Sequence, residues 1–402
     1  MNTERLAENT ERAAELLRAG GIVAVPTETV YGLAVNALDE TAVARLYAVK
    51  GRPAVKPLSL MVSDASAIGE FCRDVPAAAK CLAAKFWPGP LTLVFKSRQR
   101  EAAVVRAGGD TVGLRCPDHP LTAALLRRCG VPLAVPSANL SACAPARTAS
   151  EVLDVFDGMI DGVLDGGESS LGAASTVFDM SETPYRVLRA GALGEAALFA
   201  ALRETLTIVG LTGGSGSGKT TALRVLERMG ALVIDADAVY HALTVSSAPL
   251  RAELTARFGA VYDGDALNRR RLAEIVFSDP AALADLNAVT HKYVAAEIDR
   301  LLTEHARRGG TLAAIDAIAL LESPLAEKCA LTVAVTAPRE HRLRRLTARD
   351  GISEAAATAR IDAQRDDAYF ESRCDHVLRN AGAQAEFEQS CNQFFTEVLN
   401  HG

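Results

Sequence analysis

At 402 residues the chain is too long for one ordinary hydrophobic core and predicts two or three domains. Its 49% hydrophobic and 23% charged residues fit a soluble globular protein, and a formal net charge of -6 excludes a general coat for nucleic acid or membrane. Binding of polyanions must therefore come from local placement of Lys and Arg.

The N-terminal stretch reads as an amphipathic helix with Leu6, Ala13, Leu16 and Leu17 on one face, stopped by Gly20 and Gly21. A short apolar run, Ile22 to Val25, ends at Pro26 as a buried strand does. Val25 to Gly32 (VPTETVYG) then sets hydroxyls, a carboxylate and a phenol in quick succession. That is either a binding segment for a small polar ligand or an ordinary turn. Helical and strand-like runs alternate from there to about Arg189, which predicts an α/β domain.

Within that half, YAVKGRPAVKPL puts Lys50, Arg52 and Lys56 in a Gly/Pro-broken loop, which suits a polyphosphate or else a solvated basic face. Arg115 ends a strand in TVGLRCP, Ser137 and Asn139 follow another in LAVPSANLS, and AASTVFD and YRVLRAG offer Ser175, Thr176, Arg186 and Arg189. Strands ending in hydroxyls and arginines would build one anion-binding concavity. No Ser–His or Cys–His pair is evident, and His119 in PDHP reads as a turn residue.

Gly191 to Glu204 is Ala-rich and joins the halves as a helix or a tether, giving expected domains 1–195 and 206–402 with residues 196–205 between. A second beginning follows. LTIVGLT is a strand, TALRVLERMG a helix and ALVID a strand, the opening βαβ of a nucleotide-binding fold.

Between the first strand and its helix, Gly213, Gly214, Ser215, Gly216, Ser217, Gly218, Lys219 and Thr220 fit the phosphate-binding pattern G-x-x-x-x-G-K-[ST]. Glycines let the backbone N–H groups turn toward phosphate, and the following helix adds its positive end. Lys219 is expected to bridge the β- and γ-phosphates of a nucleoside triphosphate, with the Thr220 hydroxyl on Mg²⁺. The next strand ends in Asp235 and Asp237, one a candidate general base and one a helix cap. Asp316 ends a later strand, serving Mg²⁺ indirectly or capping. The Arg-dense stretch holding Arg345, Arg349 and Arg360 reads as a lid, or else as a solvated helix face.

TGGSGSGKTT, VIDAD, LNAVTH, IDAIALLE and the Arg-dense RDGIS…RIDAQ segment, in this order, resemble dephospho-coenzyme A kinase over residues 206 to about 380. The resemblance implies ATP-dependent phosphorylation of the ribose 3′-hydroxyl of dephospho-CoA, with Asp237 as base and Arg345 and Arg349 on the lid and phosphates. Lys292 stands where the family has proline after His291, and Ile318-Ala319 where many members have Pro-Leu.

PTETVYGLA, KGRPAVKPL, VGLRCP, PSAN, STVFD and VLRAG, from about residue 10 to 195, resemble the YrdC-type threonylcarbamoyl-AMP synthases. The family condenses L-threonine, bicarbonate and ATP with release of pyrophosphate, and its product feeds a transferase that modifies tRNA. The resemblance implies that Lys50, Arg52, Thr111, Ser137, Asn139 and Arg189 serve ATP, and that Thr27, Tyr31, Arg115 and Ser175 serve threonine. In the loop after PSAN the family usually carries a Gly-x-Pro pattern, where this chain reads SACAPART.

The expected architecture is thus a twisted α/β sheet domain followed by a P-loop kinase with a parallel sheet and a helical lid. The eight cysteines form no CxxC pair, the N-terminus is charged, and no apolar run approaches the roughly 20 residues of a membrane span. A reduced, cytoplasmic setting is expected. Rival readings are an RNA-binding first half, against which the 5% aromatic content argues, another small-metabolite kinase, and a degenerate half kept as a scaffold.

Overall fold

The computed structural model describes residues 2–401. Contacts divide them into two compact units, the first reaching Thr205 and the second running from Leu206 apart from the segment Arg307–Gly309.

The first unit holds β1 (Glu4–Arg5), β2 (Val23–Val25), β3 (Gly32–Asn36), β4 (Ser59–Met61), β5 (Cys72–Arg73), β6 (Leu91–Ser97), β7 (Thr111–Arg115), β8 (Leu133–Ala134), β9 (Gly162–Val163), β10 (Thr176–Asp179) and β11 (Arg186–Arg189). They form one mixed sheet in the order β1-β9-β2-β3-β8-β4-β7-β6-β10-β11, with β5 added to β6. Some sequence neighbours pair, as β2 with β3 and β6 with β7, while β8 comes between β3 and β4 and β10 lies beside β6, so strand ends distant in the chain become adjacent. β4 lies between β8 and β7, while β6 pairs with β7 on one side and β10 on the other.

The first helix is Thr10–Arg18, begun by the Asn9 side chain accepting from the Arg12 N–H. Leu6 lies ahead of this helix, yet it joins Ala13, Ala14 and Leu17 in a core shared with Leu125 and Leu126. The Ala-rich stretch folds as the helix Glu195–Arg203, which buries Leu198, Ala201 and Leu202. Phe199 meets Phe178 edge-on at 6.3 Å, so this helix packs on the first unit.

The second unit is built on β12 (Thr207–Thr212), β13 (Leu232–Asp235), β16 (Leu312–Asp316), β17 (Leu331–Thr336) and β18 (His376–Arg379), with a small hairpin of β14 (Tyr262–Asp263) and β15 (Ala266–Leu267) apart from them. The five are parallel in the order β13-β16-β12-β17-β18. The three central strands, β16, β12 and β17, are nearly continuous apolar runs because both faces are covered. Val209, Leu211, Val333 and Val335 pack with Leu226 and Phe395 from the helices Lys219–Arg228 and Gln384–His401. From β12 the chain leaves toward β13, and from β16 it leaves toward β17. The crevice between their carboxyl ends is therefore the topological switch point, where α/β sheets bind ligands.

A helical lobe with its own core of Leu250, Leu254, Leu272 and Val289 includes part of the long helix Pro280–Arg307. The Arg-dense stretch forms two helices, Arg339–Asp350 and Glu354–Asp362, joined over Leu346, Ala357 and Ile361. Among the described residues the eight cysteines are free, and no helix is long and apolar enough to cross a membrane.

Candidate functional site

Each unit carries a cavity lined by the residues singled out in the sequence. In the first unit a cavity of about 240 Å³ is lined by Tyr31, Arg52, Thr92, Thr111, Arg115, Ser137, Ser175 and Arg189, among others. The sheet order explains the convergence. Arg115 ends β7, Ser137 follows β8, Ser175 precedes β10, and Arg189 ends β11.

Three guanidinium groups share this space. Arg115 donates to Glu28 Oε1 at 2.7 Å, to Thr29 Oγ1 at 2.8 Å and to Gly89 O at 3.2 Å. Arg52 is oriented by the carbonyls of Lys56 and Pro57. Arg189 donates to the Ser175 carbonyl at 2.8 Å and to its Oγ at 3.0 Å. Burial, then the charges of Arg115 and Arg52, hold Arg189 below its ordinary pKa. So much positive charge in a half-closed space is a receptor for anions. The Ser175 hydroxyl also meets Thr92 Oγ1 at 2.9 Å. Thr92 was not singled out in the sequence and Glu28 was noted only as the carboxylate of VPTETVYG, because both gain meaning only from partners more than 80 residues away.

Three of the expected site residues, Thr27, Lys50 and Asn139, are not in this lining. Thr27 is fully buried; its hydroxyl donates to Val30 O and accepts the N–H groups of Thr29 and Val30. It thereby fixes the turn that carries Tyr31. Lys50 is 2% exposed and its ammonium donates to Ser137 O, Asn139 O and Asn139 Oδ1 at 2.6 to 2.9 Å. Burial, then Arg52, lowers its pKa to about 8. Asn139 in turn accepts from Ser137 Oγ and donates to Cys143 O, shaping the SACAPART loop. The Tyr31 hydroxyl donates to Gly167 O at 2.8 Å, while burial raises its pKa. His119 is the residue before the helix Pro120–Cys129.

In the second unit a cavity of about 600 Å³ is lined by residues 214–220 together with Asp235, Asp237, Asp316, Ile318, Arg345, Arg349 and Arg360. The glycine loop connects β12 to the helix Lys219–Arg228. Gly218 has a φ of +113° and a Cβ there would sit 2.1 Å from Asn380 Nδ2, so both conformation and space require glycine. Lys219 Nζ donates to Gly213 O at 2.8 Å. Burial lowers the Lys219 pKa, with Asp316 and Asp237 opposing the shift.

The two aspartates at the end of β13 differ in their surroundings. Asp235 accepts from the Ala238 N–H at 2.9 Å and caps the helix Ala236–Ser246. Asp237 borders both this cavity and a second one of about 240 Å³, lined also by Tyr240, Asn287, Thr290, His291 and Ala319. Burial, then Asp235, raises the Asp237 pKa. Asp316 is pushed up to about 6, mainly by burial, and its Oδ1 has no hydrogen-bond partner. No trio of His, Cys, Asp or Glu side chains forms a metal cage among the described residues. The available donors, Thr220 and the carboxylates, are hard oxygens that suit a cation completed by phosphate and water.

Arg345 donates to Gly216 O and Ser217 O and to Asn380 Oδ1, while Arg349 and Arg360 both pair with Asp350. Lys292 pairs with Glu253, and its side chain is 65% exposed. Arg342, Gln364 and Asn380, which grip the glycine loop, were not singled out in the sequence.

The Sua5/YciO/YrdC family model, described as telomere recombination, matches residues 15–191, and the CoaE family model, described as dephospho-CoA kinase, matches residues 207–386. The first half is similar to a threonylcarbamoyl-AMP synthase of Pyrococcus abyssi, 43% identical over 47% of this chain and 56% of that protein. The chain thus spans little more than half that relative's length. A threonylcarbamoyl-AMP synthase of Halorhodospira halophila is 38% identical over 43% of this chain and 91% of its own length. The second half is similar to a dephospho-CoA kinase of Thermobifida fusca, 35% identical over 47% of this chain and 95% of that protein.

Proposed function

We propose two activities for this chain, which belongs to the Sua5/YciO/YrdC family through residues 15–191 and to the dephospho-CoA kinase family through residues 207–386. The first unit makes threonylcarbamoyl-AMP from L-threonine, bicarbonate and ATP. The second transfers the γ-phosphoryl group of ATP to the 3′-hydroxyl of dephospho-CoA.

The observation that supports the first activity is the meeting of Arg52, Arg115 and Arg189 with Thr111, Ser137 and Ser175 in one cavity. Arg115 and Ser175 hold the threonine carboxylate and hydroxyl, and Arg52, Thr111, Ser137 and Arg189 hold the nucleotide. Threonine's amine and bicarbonate give a carbamate and water. A carbamate oxygen then attacks the α-phosphorus as the bond to pyrophosphate breaks. The reaction needs alignment and charge neutralisation rather than a covalent nucleophile, and this site offers those. Thr27, Lys50 and Asn139 act by holding the turn and loop that present Tyr31 and Ser137. In this reading the product feeds a tRNA-modifying transferase as partner, and both activities belong to a cytoplasmic protein.

For the kinase, the carrying observation is the position of Asp237 on the wall common to two cavities. The loop N–H groups and Lys219 take the phosphates in the larger cavity, and the acceptor enters the smaller. Asp237 accepts the proton of the attacking hydroxyl while the γ-phosphoryl group moves to oxygen and ADP leaves. Arg349 and Arg360, carried by the two lid helices, face the transferring charge and exclude water. Mg²⁺ neutralises phosphate charge when bound, and Thr220 and Asp316 are the residues to hold it.

The test is to incubate the purified chain with ATP, Mg²⁺ and bicarbonate, adding threonine or dephospho-CoA separately. Mass spectrometry should find pyrophosphate with threonylcarbamoyl-AMP in one tube, and ADP with coenzyme A in the other. Salt-sensitive tRNA binding without pyrophosphate release would overturn the synthase reading. Faster turnover of uridine or shikimate than of dephospho-CoA would overturn the acceptor.

A further inference from the structure

A loop that grips phosphate turns its N–H groups to the ligand, which leaves its carbonyls pointing backward and in need of donors. Here each of five consecutive carbonyls has one. Gly213 O accepts from Lys219 Nζ, Gly214 O from the Ser217 N–H, Ser215 O from Arg342 Nε, Gly216 O from Arg345 Nη1, and Ser217 O from Asn380 Nδ2 at 2.8 Å.

Ser215 is held most completely. Its carbonyl accepts from Arg342 Nε at 3.0 Å, its N–H donates to Gln364 Oε1 at 2.8 Å, and its hydroxyl accepts from Gln364 Nε2 at 2.8 Å. Arg342 Nη2 donates to the same Gln364 Oε1 at 3.1 Å and closes the ring. Arg342 is 4% exposed, and a Cβ at Gly214 would come within 2.1 Å of its Nη2. Neither Arg342 nor Gln364 lines the nucleotide cavity. Arg342 lies near the start of the first lid helix, Arg339–Asp350, and Gln364 lies just past the end of the second, Glu354–Asp362.

The geometry points to Arg342 and Gln364 as positioning residues that bolt both ends of the lid to the outer side of the phosphate loop. The lid that carries Arg349 and Arg360 and the N–H groups that receive the phosphates are then set by one buried network. The inference rests on the reading of this unit as an ATP-dependent kinase. A charge-assisted bond in a buried network is costly to leave unmade, so losing either side chain should loosen nucleotide binding.

The test uses the full chain as wild type, Gln364→Met, Arg342→Met, Arg342→Lys and the double Met variant. Each is titrated with a fluorescent ATP analogue without acceptor, and its melting temperature and KM for ATP are recorded. Each Met variant should bind the analogue about tenfold more weakly, with KM rising alongside. The double variant should lose little more than either single one, because the two side chains share Ser215, and Arg342→Lys should recover part of the loss. Unchanged affinity in a folded Gln364→Met protein overturns the inference, as do strictly additive losses or a lowered melting temperature without any loss of affinity. Wild type that binds the analogue but leaves dephospho-CoA untouched would defeat only the acceptor assignment. Wild type that binds no nucleotide would defeat both.

Discussion

Asp235 caps the helix that carries Asp237, so one aspartate positions the other. The cap is the 2.9 Å bond from the Ala238 N–H to Asp235 Oδ1. Asp237, two residues on, faces both cavities. Asp237→Asn should therefore lower kcat of the kinase by about 10²- to 10⁴-fold, the usual weight of a general base, with a much smaller change in KM for ATP. Asp235→Asn should keep the cap, and Asp235→Ala should cost about 1 kcal/mol of stability. Steady-state kinetics and urea melts on the three variants separate these outcomes.

Lys219→Ala removes the ammonium from the glycine loop and leaves the first unit's cavity untouched. Kinase turnover should drop on the order of 10²- to 10³-fold. Threonine-dependent pyrophosphate release should stay at the wild-type rate, measured on the same preparation. A matching loss in both assays would refute two independent sites.

Lys50 gives a pH dependence of definite sign. The unfolded side chain titrates near 10.5 and the folded one near 8. Between these values the unfolded chain binds more protons, so this contribution to stability grows as pH rises and is lost as pH falls through about 8. At about 1.36 kcal/mol per unit it reaches at most about 3 kcal/mol, trimmed by the three carbonyl-type oxygens that favour the charged form. Denaturant melts from pH 7 to 10.5 should show this slope in wild type and a flatter one in Lys50→Met.

Glu28 and Arg115 form an ion pair with side chains only 9% and 7% exposed. Glu28→Gln would leave a buried guanidinium with a weaker partner, and Glu28→Ala would leave it without that carboxylate. The alanine variant should lose about 3 to 5 kcal/mol of stability, together with threonine binding. Glutamine should lose less of both, because its amide oxygen can still accept from Arg115. Calorimetry with and without threonine checks the pair.

What could be read in the residues follows from how local each signal is. The loop from Gly213 to Thr220 is contiguous, so its flanking strand and helix identify it without any tertiary information. The first unit's cavity is the opposite case. Arg52, Arg115, Ser175 and Arg189 meet only because β7 is placed beside β4 and β6, with β10 beyond them. Each separately looks like a polar strand end, and here the family resemblance supplied what spacing could not. Burial was the least legible property. Lys50 and Thr27 read as ligand contacts, yet the fold turns their polar atoms onto neighbouring backbone. Arg342 was hidden in an Arg-dense helix where the exposed and buried guanidinium groups look alike in sequence. Asp235 and Asp237 look alike in sequence, and only the Ala238 N–H shows that Asp235 is the helix cap.

The common wall at Asp237 also has a pharmacological consequence. Two ligands that meet at a single carboxylate need almost no spacer to be joined, so an adenine nucleotide joined through its terminal phosphate to the ribose 3′-oxygen of the acceptor would bring its second half to the protein at high effective concentration. Such a bisubstrate compound could gain on the order of 10²- to 10⁴-fold over its separate parts. Replacing Asp237 with a bulkier side chain would crowd that meeting point and remove the advantage while each half still bound alone.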